Sequence, residues 1–92
     1  MRDNAAEHRF EIGEDAGVVF ANYRRTDDSL FIDHVEAPPA LRGTGAAGAL
    51  MEAIVEQAAA EGRAIVPVCG YAAAWLRRRG PSPIATVDRL VR

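Results

Sequence analysis

Leu41-Arg42-Gly43-Thr44-Gly45-Ala46-Ala47 is the stretch across which the chain changes its hydrophobic period. Upstream, apolar and polar residues alternate, as they do along half-buried strands. His8-Arg9-Phe10-Glu11-Ile12 alternates in this way, and Gly13-Glu14-Asp15-Ala16-Gly17 reads as a hairpin turn. Val18-Val19-Phe20-Ala21-Asn22-Tyr23-Arg24 is the second strand, Thr26-Asp27-Asp28-Ser29 the next turn, and residues 30–37 the third strand. Pro38 and Pro39 end it, because neither can donate to a strand ladder. Downstream, Leu50, Met51, Ile54, Val55 and Ala58 share one helical stripe, with Glu52 and Glu56 on the opposite face. Gly62 is placed to stop that helix.

The remainder follows from these two halves. Ala64-Ile65-Val66-Pro67-Val68 is a short apolar strand, expected to run parallel to the third because a helix connects the two. A second helix is expected from about residue 70 to 79, broken by Gly80-Pro81-Ser82-Pro83, with a last short helix over residues 84–91. Residues 1–7 are polar and expected to be loose. The fold class is therefore α/β, with one domain over residues 1–92: an antiparallel meander of three strands, a helix, a parallel strand and a closing helix.

Bulk composition narrows the partners. A chain of 92 residues builds one small core, marginal without a ligand or a second copy. The net charge of −2 gives no general attraction to nucleic acid or to an anionic membrane. All 11 basic residues are arginine, a compositional drift rather than a functional sign. One cysteine, Cys69, excludes an internal disulfide framework, and one cysteine with two distant histidines offers no metal-ligand spacing. The start, MRDNAAEHRF, has no apolar signal core and no window suits a membrane span, so a cytoplasmic protein is expected.

The helix start carries the chemistry. Backbone N–H groups of a first turn have no partner within the helix, and the dipole adds partial positive charge there. Together they form an anion site. Gly43 and Gly45 lack the Cβ that blocks close approach of phosphate oxygens, and Arg42 can lie over the anion. Thr44 can cap the helix or offer its hydroxyl to the phosphate. Glycines and a capping threonine also occur in strand-to-helix loops that bind nothing.

Arg42-Gly43-Thr44-Gly45-Ala46-Ala47 matches the Q/R-x-x-G-x-G/A signature of the GNAT acyltransferase superfamily, and the chain resembles that family. The lead-in Pro39-Ala40-Leu41 is similar to the family's V-x-P-x-x-R-G, with Ala37 in the valine position. The resemblance implies that acetyl-coenzyme A is the cofactor. Backbone amides of Arg42, Gly43, Thr44, Gly45, Ala46 and Ala47 would then hold its pyrophosphate, and the main chain of Glu36 and Ala37 its pantetheine arm. Cys69, Ala72, Trp75, Leu76, Arg78 and Gly80 fall on the register of the family's N-x-x-A-x-x-L-Y-x-K-x-G, except that Cys69 replaces the asparagine. Leu76 replaces the tyrosine that commonly protonates the departing thiolate. His34-Val35-Glu36-Ala37-Pro38 and Pro67-Val68-Cys69-Gly70-Tyr71 resemble a group of very short members with a P-x-C-x-Y motif, whose acceptors are poorly defined and whose cysteine has been proposed as functional.

Several side chains compete for the catalytic roles. Cys69 is expected at a helix start, where the dipole favours negative charge, and can line the pocket, accept the acetyl group as a nucleophile, or fill core space. His34 and Glu36 share a strand face, and either can take a proton from an incoming ammonium. An ordinary sheet histidine fits His34 equally well. Tyr71 can replace the missing tyrosine, pack on the cofactor, or pack within its helix; Arg78 suits the ribose phosphate of coenzyme A or a solvated helix end. Trp75 reads as core or dimer surface, and His8 as surface.

The resulting expectation is an N-acetyltransferase with Cys69 and His34 as catalytic residues. Its acceptor would be an amine on a small molecule or a protein, and the chain a monomer or weak homodimer. The rival expectation is a coenzyme A-binding module without catalysis, a sensor or partner subunit, which the missing tyrosine favours.

Overall fold

The computed structural model describes residues 1–14 and 17–80. Five strands form one sheet in sequence order: β1 (Arg2–Asn4), β2 (Arg9–Glu14), β3 (Gly17–Arg25), β4 (Ser29–Glu36) and β5 (Ala64–Pro67). β1 to β4 are antiparallel neighbours and β5 runs parallel to β4. The helices are α1 (Ala46–Glu61) and α2 (Gly70–Arg79), with short 3-10 turns at Ala5–Glu7 and Pro39–Leu41. The expected architecture is present, and the last short helix expected over residues 84–91 lies outside the described residues.

The expectation of a loose start is corrected. Arg2–Asn4 pairs with β2, with Asp3 opposite Phe10. Three polar side chains hold it: Arg2 donates to the Gly13 carbonyl at 2.7 Å, Asn4 donates to Glu11 at 2.9 Å, and Asp3 accepts from the Tyr23 hydroxyl and from Arg25. The segment lacks apolar residues, so hydropathy could not reveal it.

Both helices lie on one face of the sheet. α1 buries Leu50, Met51, Ile54, Val55 and Ala58 against Phe10, Val19, Ala21, Tyr23, Leu30, Ile32 and Ile65. Gly62 ends it in the left-handed region, its N–H meeting the Ala58 and Ala59 carbonyls. α2 adds only Ala72 to the buried core, with Trp75 and Leu76 at its margin. The other face carries no helix among the described residues. There Arg9 lies 4.4 Å over the Phe20 ring and Arg24 4.6 Å over Phe31. Each guanidinium is fixed by a carboxylate, Arg9 by Glu11 and Arg24 by Asp33.

A bulge in β4 decides which side chains reach which face. Asn22 pairs with His34 but Tyr23 pairs with Ile32, so Asp33 is an extra residue. Before the bulge, Leu30 and Ile32 face the helices; after it, Val35 does, and His34 and Glu36 turn to the helix-free face beside Phe20. The β4–β5 ladder stops at Ile32 opposite Pro67. The Ile32 carbonyl then accepts from both Val68 (3.0 Å) and Cys69 (3.1 Å), and the strands part.

One partly buried charge cluster ties the far end of the sheet to α1. Arg25 donates to both oxygens of Glu61, at 2.9 and 2.7 Å, and Gln57 donates to the same carboxylate at 2.6 Å. Arg25 above all holds the Glu61 carboxyl down from its ordinary 4.5 to about 2. A carboxyl depressed in the folded chain stabilises the fold above its unfolded pKa, and that contribution disappears as pH falls from about 4.5 towards 2. Glu61→Gln is expected to lower stability near neutral pH by about 2 kcal/mol and to flatten this acid limb. Urea denaturation across this pH range checks it, and an unchanged acid limb would remove the cluster from the stability account.

Candidate functional site

The helix starts explain where the site lies. β4 and β5 are parallel, so α1 and α2, which follow them, begin at the same end of the sheet. Side by side, the helices also run in the same direction: Trp75 meets Gly48, and one turn further Arg79 meets Glu52 at 3.1 Å. Two N-terminal dipoles therefore point to one region, beyond the carboxyl ends of two parallel strands, where open sheets commonly bind ligands.

A cleft of about 390 Å³ occupies that region. It is lined by Val35 and Ala37 from the β4 end, by Leu41, Arg42, Gly43, Gly45, Ala47 and Gly48 from the turn and first turn of α1, and by Tyr71 from α2. One wall is apolar side chain and the other is glycine backbone. α1 begins at Ala46, two residues after Thr44, with Gly45 as its N-cap in the left-handed region at φ 88°. Its first intrahelical bond runs from Ala49 N–H to the Gly45 carbonyl. Among the described residues, the amides of Gly43, Gly45, Ala47 and Gly48 have no protein acceptor. A Cβ at Gly43 or Gly45 would project into open space, so the cradle is clear.

The expectation that Thr44 caps α1 is corrected: Gly45 is the N-cap with no side-chain cap bond, and the Thr44 hydroxyl is used inside the turn. This hydroxyl donates to the Leu41 carbonyl at 2.6 Å and accepts from Ala46 N–H at 3.3 Å, closing the turn. Arg42 is exposed and donates its Nε–H to the Ala37 carbonyl at 3.1 Å, joining the turn to the end of β4. Tyr71 is exposed at the mouth of α2.

The proposed catalytic side chains are not gathered in the cleft. Cys69 is partly buried, occupies the N-cap position of α2 without a side-chain cap bond, and packs at the margin of the core. It stands where β5 leaves β4, and it is not among the cleft-lining residues. His34 and Glu36 are on the helix-free face, half exposed, with His34 Nε2 and Glu36 Oε1 2.9 Å apart. The sequence pairs them correctly on one face, but the bulge turns that face away from the helices. Arg78 is exposed in the last turn of α2. Trp75, read from sequence as core or dimer surface, lies beside the cleft-lining Gly48. A glycine in a first helical turn with no positive φ to explain it was the available signal. Among the described residues no group of three or more acidic, histidine or cysteine side chains suits a metal, and no helix is long and apolar enough to cross a membrane.

Gly45→Ala is expected to cost about 1 kcal/mol through its left-handed backbone alone, since its Cβ meets nothing. Urea denaturation measures this, and a loss several times larger would show that the turn packs more tightly than described.

No curated protein matches the chain. The family described as GCN5-related N-acetyl-transferase matches residues 9–82, which take in the sheet from β2 onward, both helices and every residue of the cleft. The chain belongs to the GCN5-related N-acetyltransferase family.

Proposed function

We propose that the cleft binds acetyl-coenzyme A and that the chain transfers its acetyl group to an amine. The observation that carries the reading is the set of unpartnered amides of Gly43, Gly45, Ala47 and Gly48 beside two helix starts, joined to an apolar wall of Val35, Ala37 and Leu41 on the side of β4 that has lost its β5 partner. The amides suit a pyrophosphate, which needs several donors and a positive dipole end. Val35, Ala37 and Tyr71 suit the pantetheine arm, a slender group with an apolar body. Beyond Ile32, β4 has lost its β5 partner, so its backbone is available to the arm's amides. Family membership supports acetyl transfer as the reaction class.

Threaded this way, the thioester would come to rest near the strand parting, beside Cys69. The Cys69 thiol would give up its proton as its sulfur attacks the thioester carbonyl, the carbon–sulfur bond to coenzyme A would break, and the departing thiolate would take up that proton, relayed by Tyr71, the phenol that lines the cleft. An amine next attacks the S-acetyl carbon, releases Cys69 and gives up a proton. His34 serves as that base for an acceptor arriving from the helix-free face. Arg78 meets the ribose phosphate. The acceptor is an amine of a small molecule or a protein, and holding the reactants in place supplies most of the rate.

Incubation with acetyl-labelled coenzyme A and mass spectrometry test the covalent route. The expected result is acetyl on Cys69, absent in Cys69→Ser. Label on no residue, together with no acetylation of a panel of amines, would leave a coenzyme A-binding module. Gly45→Glu is expected to weaken coenzyme A binding by about a hundredfold or more, by placing a carboxylate among the amide donors. Calorimetry reads that constant, and unaltered affinity would refute the cradle.

A further inference from the structure

Gly48 is an expensive residue for its position. It lies in the first turn of α1 with ordinary helical backbone, where alanine would favour the helix more. A Cβ there would stand 3.3 Å from Trp75 Nε1, the one close contact it would meet. The glycine therefore lets the indole edge come against α1, beside the cleft. Among the described residues the indole N–H has no acceptor. Arg79 steadies the ring, its guanidinium carbon 6.0 Å from the ring centroid while its Nε–H donates to Glu52 on α1. The result is a braced ring whose donor no described residue uses, in the seam between two helix starts.

Geometry divides the cofactor between two directions. With pyrophosphate on the amides of Gly43, Gly45, Ala47 and Gly48, the trough of Val35, Ala37 and Tyr71 takes the pantetheine arm. The nucleotide half then leaves on the other side of these amides, towards the seam where Trp75 meets the cleft-lining Gly48. Tyr71 and Trp75 are four residues apart and share a face of α2, so the two aromatic side chains stand one behind the other. On the coenzyme A reading of the cleft, we propose that Trp75 is a cofactor-binding residue. Its indole N–H donates to an oxygen of the adenosine 3′,5′-bisphosphate half, and Gly48 is glycine to admit that edge. Exposed Arg78, in the next turn of α2, adds charge on the same side.

Trp75 is the chain's single tryptophan, so its emission reports on this contact alone. Titration with coenzyme A and with adenosine 3′,5′-bisphosphate is expected to change the emission, and titration with 4′-phosphopantetheine is not. Trp75→Phe keeps the ring bulk and removes the donor. It is expected to weaken coenzyme A and the bisphosphate by roughly tenfold, the usual size for a hydrogen bond to a charged group, and to spare phosphopantetheine. Gly48→Ala, a helix-favouring change, is expected to weaken the same two ligands by displacing the indole. Binding of coenzyme A by calorimetry with unchanged emission and unchanged affinity in both variants would overturn the role of Trp75 and leave the cleft assignment intact. Absence of any coenzyme A binding by calorimetry would overturn both.

Discussion

The Ile32 carbonyl accepts from two successive amides, Val68 and Cys69, and this doubled bond is where the parallel ladder ends. A regular parallel pair would continue to exchange bonds one residue at a time. Here the first extra residue of the β4 bulge, Asp33, follows at once on one strand, and the cap of α2 follows on the other. Neither strand can continue the register, so they separate. Every element of the site depends on that separation. It frees the β4 backbone, admits an apolar trough between Val35 and Tyr71, and places Cys69 at the point of divergence.

The same bulge sorts the polar chemistry from the binding chemistry. Had the alternation of Leu30 and Ile32 continued, His34 and Glu36 would face the helices and Val35 would face solvent. One extra residue reverses this, so the trough is apolar and the titratable pair lies across the sheet. On the proposed acetyl-transfer reading, the donor would enter from the helix side and the acceptor from the side of His34. The two substrates then need not compete for one opening.

Much of this was legible in the residues, because the governing signals are local. The switch from alternation to helical spacing at Leu41–Ala47, the proline pair and Gly62 located four strands and both helices within a residue or two. The glycines at 43 and 45 marked the turn that lines the cleft. What escaped was non-local. β1 is held by Asn4, Asp3 and Arg2 reaching partners up to 22 residues away, which no hydropathy window detects. The bulge has no sequence mark of its own: Asp33 becomes supernumerary only through pairing with β3. Thr44 offered two roles in the sequence, a cap or a phosphate contact, and the structure gives its hydroxyl a third, a bond to the Leu41 carbonyl within the turn, while Gly45 takes the N-cap.

Among the described residues no helix covers the second face of the sheet, and its aromatic side chains are covered in another way. Its rings, Phe20 and Phe31, are each roofed by a flat guanidinium that is itself pinned by a neighbouring carboxylate. Lysine, a hydrated point charge on a flexible stem, would not lie on a ring and bind two carboxylate oxygens at once. An arginine-only basic composition therefore acquires a physical meaning on this surface. Among the described residues it is these guanidinium groups, not a helix, that cover the aromatic rows and keep them from presenting a bare apolar surface.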